Sequence, residues 1–179
     1  MVTTHAIRAP RDADAEALAD LSTQLGYPVG ADELGQRLTV VAGNDHAAVL
    51  VATDGSDRPL GWIHVELKRT LVAPLTAQVM GLVVDERARN GGMGRELLAA
   101  GEEWAASRGC RHMLVGTRVT REGAHRFYTR EGYTLQKTSH FFGEGYLTRN
   151  TARIERVEVI GLYFRAPNPR SSAWRFSSP

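Results

Sequence analysis

The chain is short of most of the features that would settle its class at a glance. Cysteine occurs once, at Cys110, so no internal disulfide framework exists, and a reducing compartment is expected. The 22 basic and 20 acidic residues leave a formal charge of +2, too small to imply nucleic-acid binding, and no basic run dominates any segment. No stretch approaches the roughly 20 apolar residues of a membrane span. The opening MVTTHAIRAPRDADAEAL lacks an apolar centre flanked by positive charge, so no signal peptide is expected. Internal repeats are absent too. A cytoplasmic protein with no membrane or nucleic-acid partner is the expectation.

What is present fits one domain of 179 residues, large enough to bury a core without metal or disulfide, with 42% hydrophobic and 23% charged residues. His5 to Ala9 reads as a strand ended by Pro10. Asp12 then suits a helix N-cap, with Ala15, Leu18, Leu21, Ser22 and Leu25 facing inward. Leu34, Leu38 and Val41 repeat at helical spacing over Asp32 to Val41. Ala47 to Thr53 and Leu60 to Leu67 form a hairpin about the turn Asp54-Gly55-Ser56-Asp57. In its second strand Ile63, Val65 and Leu67 alternate with Trp62, His64 and Glu66.

The densest signal is QVMGLVVDERARNGGMGRELL, residues 78–98. An apolar strand, Val79 to Val84, runs through a charged turn into Arg89-Asn90-Gly91-Gly92-Met93-Gly94, and then into a helix over Gly94 to Arg108. Leu97, Gly101, Trp104 and Ala105 fall on its inner side, and Gly109 is its stop. A strand that delivers a glycine loop to a helix start is suited to phosphate, because unpartnered N–H groups and the helix dipole meet there. A nucleotide P-loop is excluded, since Arg95-Glu96 follows Gly94 where Lys-Ser/Thr is needed. A dinucleotide fingerprint needs a third glycine where Leu97 stands. Strand Cys110 to Val115, helix Glu122 to Arg130 and strands within Tyr133 to Phe142 complete a mixed α+β sheet with helices packed on it. Residues 147–179 do not continue this rhythm. Arg153 to Phe164 reads as an added strand, and the Pro- and Ser-rich remainder as tail.

Arg89-x-x-Gly92-x-Gly94, followed by Ala124-His125-Arg126-Phe127-Tyr128-Thr129-Arg130-Glu131-Gly132-Tyr133, resembles the GNAT superfamily of acetyl-coenzyme A-dependent N-acetyltransferases over roughly Ile7 to Phe142. The resemblance implies a central twisted mixed sheet of about six or seven strands, about four helices, and a catalytic domain of residues 1–146. It implies acetyl-coenzyme A as co-substrate, no metal, and pantetheine along Leu82, Val83 and Val84, with the Val84 N–H as oxyanion donor. The amides of Arg89, Asn90, Gly91, Gly92, Met93, Gly94 and Arg95 would grip the pyrophosphate. Tyr128 would protonate the departing thiolate. Its side chain points about 100° from that of Phe127, so only one of the pair is expected in the core.

The base is less plain. Relatives often carry a glutamate on the strand before the loop, where this chain reads Gln78-Val79-Met80-Gly81. Glu66 and His64, on one face of the neighbouring strand, are the substitutes, as base or as a water relay. Arg121 replaces a common asparagine before the second motif and is left between a coenzyme A contact and a strand cap. The acceptor implied is a small-molecule amine, aminoglycosides being one such class, for which Asp32, Glu33 and Glu66 would be the carboxylates. A protein amino terminus or lysine is the competing acceptor, and a non-catalytic acyl-coenzyme A sensor the competing role. Val157, Val159, Ile160 and Leu162 are expected to extend a sheet edge of this chain or of a second subunit.

Overall fold

The computed structural model describes residues 5–140 and 158–164. In chain order the elements are β1 (Ala6–Arg8), α1 (Ala15–Gln24), α2 (Ala31–Ala42), β2 (Ala47–Thr53), β3 (Pro59–Lys68), β4 (Thr76–Val84), α3 (Met93–Ser107), β5 (Met113–Arg118), α4 (Glu122–Arg130), β6 (Thr134–His140) and β7 (Glu158–Phe164). The strands form one sheet in the order β1-β2-β3-β4-β5-β7-β6, parallel only where β4 meets β5. It is the mixed α+β sheet with four helices that the sequence leads one to expect.

The entry to α1 differs from the reading that made Asp12 its cap. Asp12–Asp14 is a separate 3-10 turn, and Asp14, buried, accepts from the Arg11 N–H at 2.7 Å and from Arg8 Nη1 at 2.7 Å. The Arg8 guanidinium holds the Asp14 carboxyl below the usual carboxylate range. No side chain caps α1; Asp14 at its start is instead ion-paired with Arg8 of β1.

Helices α3 and α4 lie on one face of the sheet. There Ile63, Val65, Ala77, Val79, Met113 and Val115 meet Met93, Leu97, Leu98, Ala105, Tyr128 and Tyr133 in one core. A Cβ at Gly101 would sit 3.0 Å from both Ile63 Cδ1 and Val65 Cγ2, so the missing side chain lets α3 press against β3. Helices α1 and α2 cover the other face more sparely, with Leu18, Leu21, Val51 and Val83 buried and Leu25, Leu34, Leu38 and Trp62 around them.

Strand β7 corrects the edge-strand expectation. It pairs antiparallel with β5 from Met113↔Phe164 to Arg118↔Val159, and with β6 from Thr134↔Tyr163 to His140↔Glu158. Both its edges are occupied within the chain, so it offers no edge to a second subunit. Residues 141–157 and 165–179, which hold Val157 and the Pro- and Ser-rich tail, lie outside the described residues.

Candidate active site

The site grows from an irregularity in β4. Across β3–β4 the register runs Val65↔Val79 and then His64↔Gly81, so Met80 is an extra residue with no partner on β3. Such a bulge shifts the phase of a strand. Before it Ala77 and Val79 enter the α3–α4 core; beyond it Leu82 and Val84 pack on that core, and Val83 joins the opposite one. Gly81 makes room for the bend, because a Cβ there would lie 2.7 Å from two carbons of the Trp62 ring.

The bulge also ends the pairing with β5. That parallel pairing covers only Ala77↔Met113, Gln78↔Leu114 and Val79↔Val115. Above it the strands part, leaving one side of β4 open from Gly81 to Val84. The Asp85 N–H donates to Leu60 C=O at 2.7 Å, and alternation along an antiparallel ladder then turns the main-chain groups of Leu82 and Val84 to the open side. The Val84 C=O there accepts from Arg89 Nε at 3.2 Å.

The glycine loop stands at the top of this opening. Asn90 and Gly92 adopt left-handed conformations, at φ 71° and 88°, which curl the chain into the first turn of α3. No side chain caps α3, and its first internal bond at this end runs from the Glu96 N–H to Gly92 C=O at 3.1 Å. None of the amides from Gly91 to Arg95 donates to a described residue. Five N–H groups thus converge on the positive end of a helix dipole, a fit for an anionic diphosphate. The loop arginines are otherwise engaged: Arg89 also lies 3.7 Å from Glu86, and Arg95 lies 3.5 Å from Glu131. The backbone, not these side chains, is the free part of the loop.

Helix α4 closes the other side. A Cβ at Gly94 would be 3.5 Å from Phe127 Cε2 and 3.7 Å from Val84 Cγ2, so loop, β4 end and α4 meet at one point. Tyr128 is 6% exposed, stacked edge-on with Phe127 at 5.0 Å and Tyr133 at 5.6 Å. Phe127 is only half-buried, packed against the core that Tyr128 enters, so of the two it is Tyr128 that is the core residue. Tyr128 keeps a polar character even so. Its hydroxyl makes no hydrogen bond with a described residue, and burial pushes its pKa above the ordinary phenol value, with Arg121 opposing.

His64 and Glu66 do come together on β3. His64 Nε2 lies 3.5 Å from Glu66 Oε1, while Glu66 Oε2 accepts from Lys68 Nζ at 2.6 Å. Burial lowers the His64 pKa, against the pull of Glu66, so the ring is neutral near pH 7. Lys68 holds the Glu66 carboxyl below its ordinary range. Nε2 is shielded from solvent and makes no hydrogen bond, as is Trp62 Nε1.

Arg121 carries a role that composition and spacing did not reveal. Its Nη2 donates to Leu25 C=O at 2.7 Å, and its guanidinium stands 5.8 Å from the Tyr27 ring, beside Arg118 at 5.9 Å. It ties the end of α1 and the α1–α2 loop to the start of α4. His125, by contrast, is held at 3.0 Å from Arg118 C=O. Asp32 and Glu33 are exposed on α2, and Glu33 is paired with Arg37. Cys110 is buried, and that burial raises its thiol pKa. Among the described residues no group of His, Cys, Asp and Glu is placed to hold a metal, and no helix is long and apolar enough to cross a membrane.

Residues 15–133 match the model of the acetyltransferase (GNAT) family, and the chain belongs to that family. An aminoglycoside N(6')-acetyltransferase type 1 of Stenotrophomonas maltophilia is 31% identical over 123 residues, 66% of this chain and 79% of that protein. An aminoalkylphosphonate N-acetyltransferase of Salmonella typhimurium is 42% identical over 64 residues, 36% of this chain and 40% of its own length. Among solved structures, a phosphinothricin acetyltransferase of Sinorhizobium meliloti in complex with AcCoA superposes with a TM-score of 0.71 at 16% identity, over 93% of this chain and 89% of the other. At that identity the superposition speaks for the fold alone.

Proposed function

We propose that the chain moves the acetyl group of acetyl-coenzyme A to the primary amine of a small molecule, by direct attack in a ternary complex. The observation that carries the reading is the set of unengaged amides from Gly91 to Arg95 at the head of the one-sided half of β4. They suit the pyrophosphate of the donor, and the open main-chain groups of Leu82 and Val84 suit its pantetheine as an added half-strand, whereas those of Val83 face β3. Bound there, the donor supplies an activated thioester. Val84, by its N–H, would steady charge on the carbonyl oxygen.

Tyr128 is the acid in this reading. Its buried hydroxyl stays protonated, and an O–H with no partner among the described residues is available to a thiolate as the charge forms. Removing a proton from an ordinary primary amine at pH 7 costs about 4.6 kcal/mol, from a pKa of ~10.4. Neutral His64, with Glu66 behind it, is the group that receives that proton directly or through water. Holding amine and thioester together supplies the rest of the acceleration. The Stenotrophomonas and Salmonella relatives are named for acetyl transfer to aminoglycosides and aminoalkylphosphonates, which supports a small-molecule amine as the class of acceptor.

Calorimetry with acetyl-coenzyme A, followed by thiol release across a panel of amines, tests the reading. Wild type should give heat on binding and amine-dependent thiol; Gly92→Val, which forces a branched side chain into a left-handed position, should lose the heat. No heat with wild type would overturn it.

A further inference from the structure

Between α1, α2 and the sheet lies a cavity of about 620 Å³ that the residues above do not account for. Its walls are Leu18, Leu25, Leu34, Leu38, Val41, Val49 and Trp62, and Met80, the bulged residue of β4, stands in it. It thus adjoins the point where β4 and β5 part. Polar groups in the lining are few: Ser22, Gln36, Arg37, His64, the Tyr27 hydroxyl and the Trp62 indole nitrogen. Ser22 Oγ donates to Leu18 C=O at 2.8 Å and Arg37 is paired with Glu33. Among the described residues no carboxylate lines the cavity. Glu66, beyond His64, is taken by Lys68, and the mouth at Tyr27 carries Arg118 and Arg121.

A polyamine acceptor brings several ammonium groups, each needing an acceptor or water when bound. This cavity offers apolar surface and, at its mouth, cations. We infer that the acceptor is a hydrophobic monoamine, an alkyl- or arylalkylamine whose apolar body fills the space beneath α1 and α2 while its nitrogen lies near His64 and Met80. The inference rests on the acetyltransferase reading and deepens it. An apolar enclosure disfavours the ammonium form by desolvation, so the walls themselves lower the cost of freeing the lone pair. That offsets part of what a strand glutamate would have supplied at Gln78 to Gly81.

The test is kcat/KM for acetyl transfer to the n-alkylamines from propyl to hexyl, phenethylamine and kanamycin. The expected result is a rise of roughly fourfold for each methylene buried, and a roughly hundredfold or larger deficit for kanamycin against hexylamine. Calorimetry should also detect N-hexylacetamide, the uncharged product, binding to the protein without any donor. Val41→Asp, which places a carboxylate in the wall, should flatten the alkyl series and favour 1,6-diaminohexane over hexylamine. Val40→Asp, at a rim position 74% exposed and safe for folding, should shift the same preference by a smaller factor. A flat alkyl series, or kanamycin preferred over hexylamine, overturns the inference while leaving acetyl transfer standing. Absence of heat with acetyl-coenzyme A brings down the reading beneath it instead.

Discussion

Beneath α3 and α4 the sheet is sealed: Ile63 and Leu97 are at 0% exposure, Met93 at 1%, and even the tyrosines of α4 and the segment after it are buried. Beneath α1 and α2 the core shared by helices and strands has four buried residues, Leu18 and Leu21 against Val51 and Val83, with a ring of half-buried ones and an open cavity. The difference has a physical use. In the proposed reaction the groups that grip the donor and protonate its leaving thiolate would have to be held to a fraction of an ångström, which dense packing provides. A side that receives varied acceptors gains from looser walls. The bulge at Met80 couples the two, because it switches which residues of β4 face α3 and α4, from Ala77 and Val79 to Leu82 and Val84, just where the strands separate.

Removing one atom from the sealed side should have the largest effect on turnover. Tyr128→Phe loses a hydroxyl that bonds to no described residue, so thermal stability should hold within ~0.5 kcal/mol. The same change should lower kcat by ~10²–10⁴-fold with acetyl-coenzyme A affinity unchanged. If kcat survives, Tyr128 is a packing residue and the sealed face contributes only rigidity. The stability contrast comes next. Leu97→Ala should cost ~2–5 kcal/mol in denaturant unfolding, whereas Leu38→Ala, half-buried beside the cavity, should cost less than ~2 kcal/mol and show itself in the acceptor KM. Equal costs would mean the two faces are packed alike.

Gly81→Ala probes the coupling itself. Its new Cβ would meet the Trp62 ring at 2.7 Å, closer than any relaxed contact, so the indole must move. The expected loss is ~1–3 kcal/mol of stability, with the acceptor KM raised because Trp62 lines the cavity, and donor affinity nearly constant. Were donor affinity to fall as far, the open half of β4 would depend on Trp62 as much as the cavity does.

How much of this the residues announced depends on the kind of signal each one carries. Gly92 and the loop around it were legible because a left-handed turn into a helix has a composition of its own, and Glu122–Arg130 was bounded correctly by its flanking turn and Gly132. Strand β2 was read to the residue for a like reason, with turn residues at both ends. Met80 was not legible as a bulge. One extra residue in a run of Val, Met, Gly and Leu leaves no mark until the partner strand fixes the register. The place of β7 inside the sheet is likewise a long-range choice that a short apolar run cannot encode. Arg121 was seen as a departure, but its partner, the Leu25 carbonyl, lies 96 residues away. The cavity was invisible for the same reason: its walls come from α1, α2 and three strands.

His64 gives the smallest effect and the finest distinction between the faces. Burial on the open side lowers its pKa beneath the ordinary imidazole value of 6.5, so the unfolded chain takes up a proton there more readily than the folded one. The stability this group lends is therefore present above pH 6.5 and drains away as the pH falls through the folded-state value. His64→Gln should flatten that acid-side decline in unfolding free energy between pH 7 and pH 5 while leaving the plateau near its wild-type height. In kcat/KM the wild-type acid limb should lie below pH 6.5, and the variant should lose it. If the variant keeps both the stability decline and the limb, the proton is taken elsewhere. The ring would then serve the open face only as a wall of the cavity.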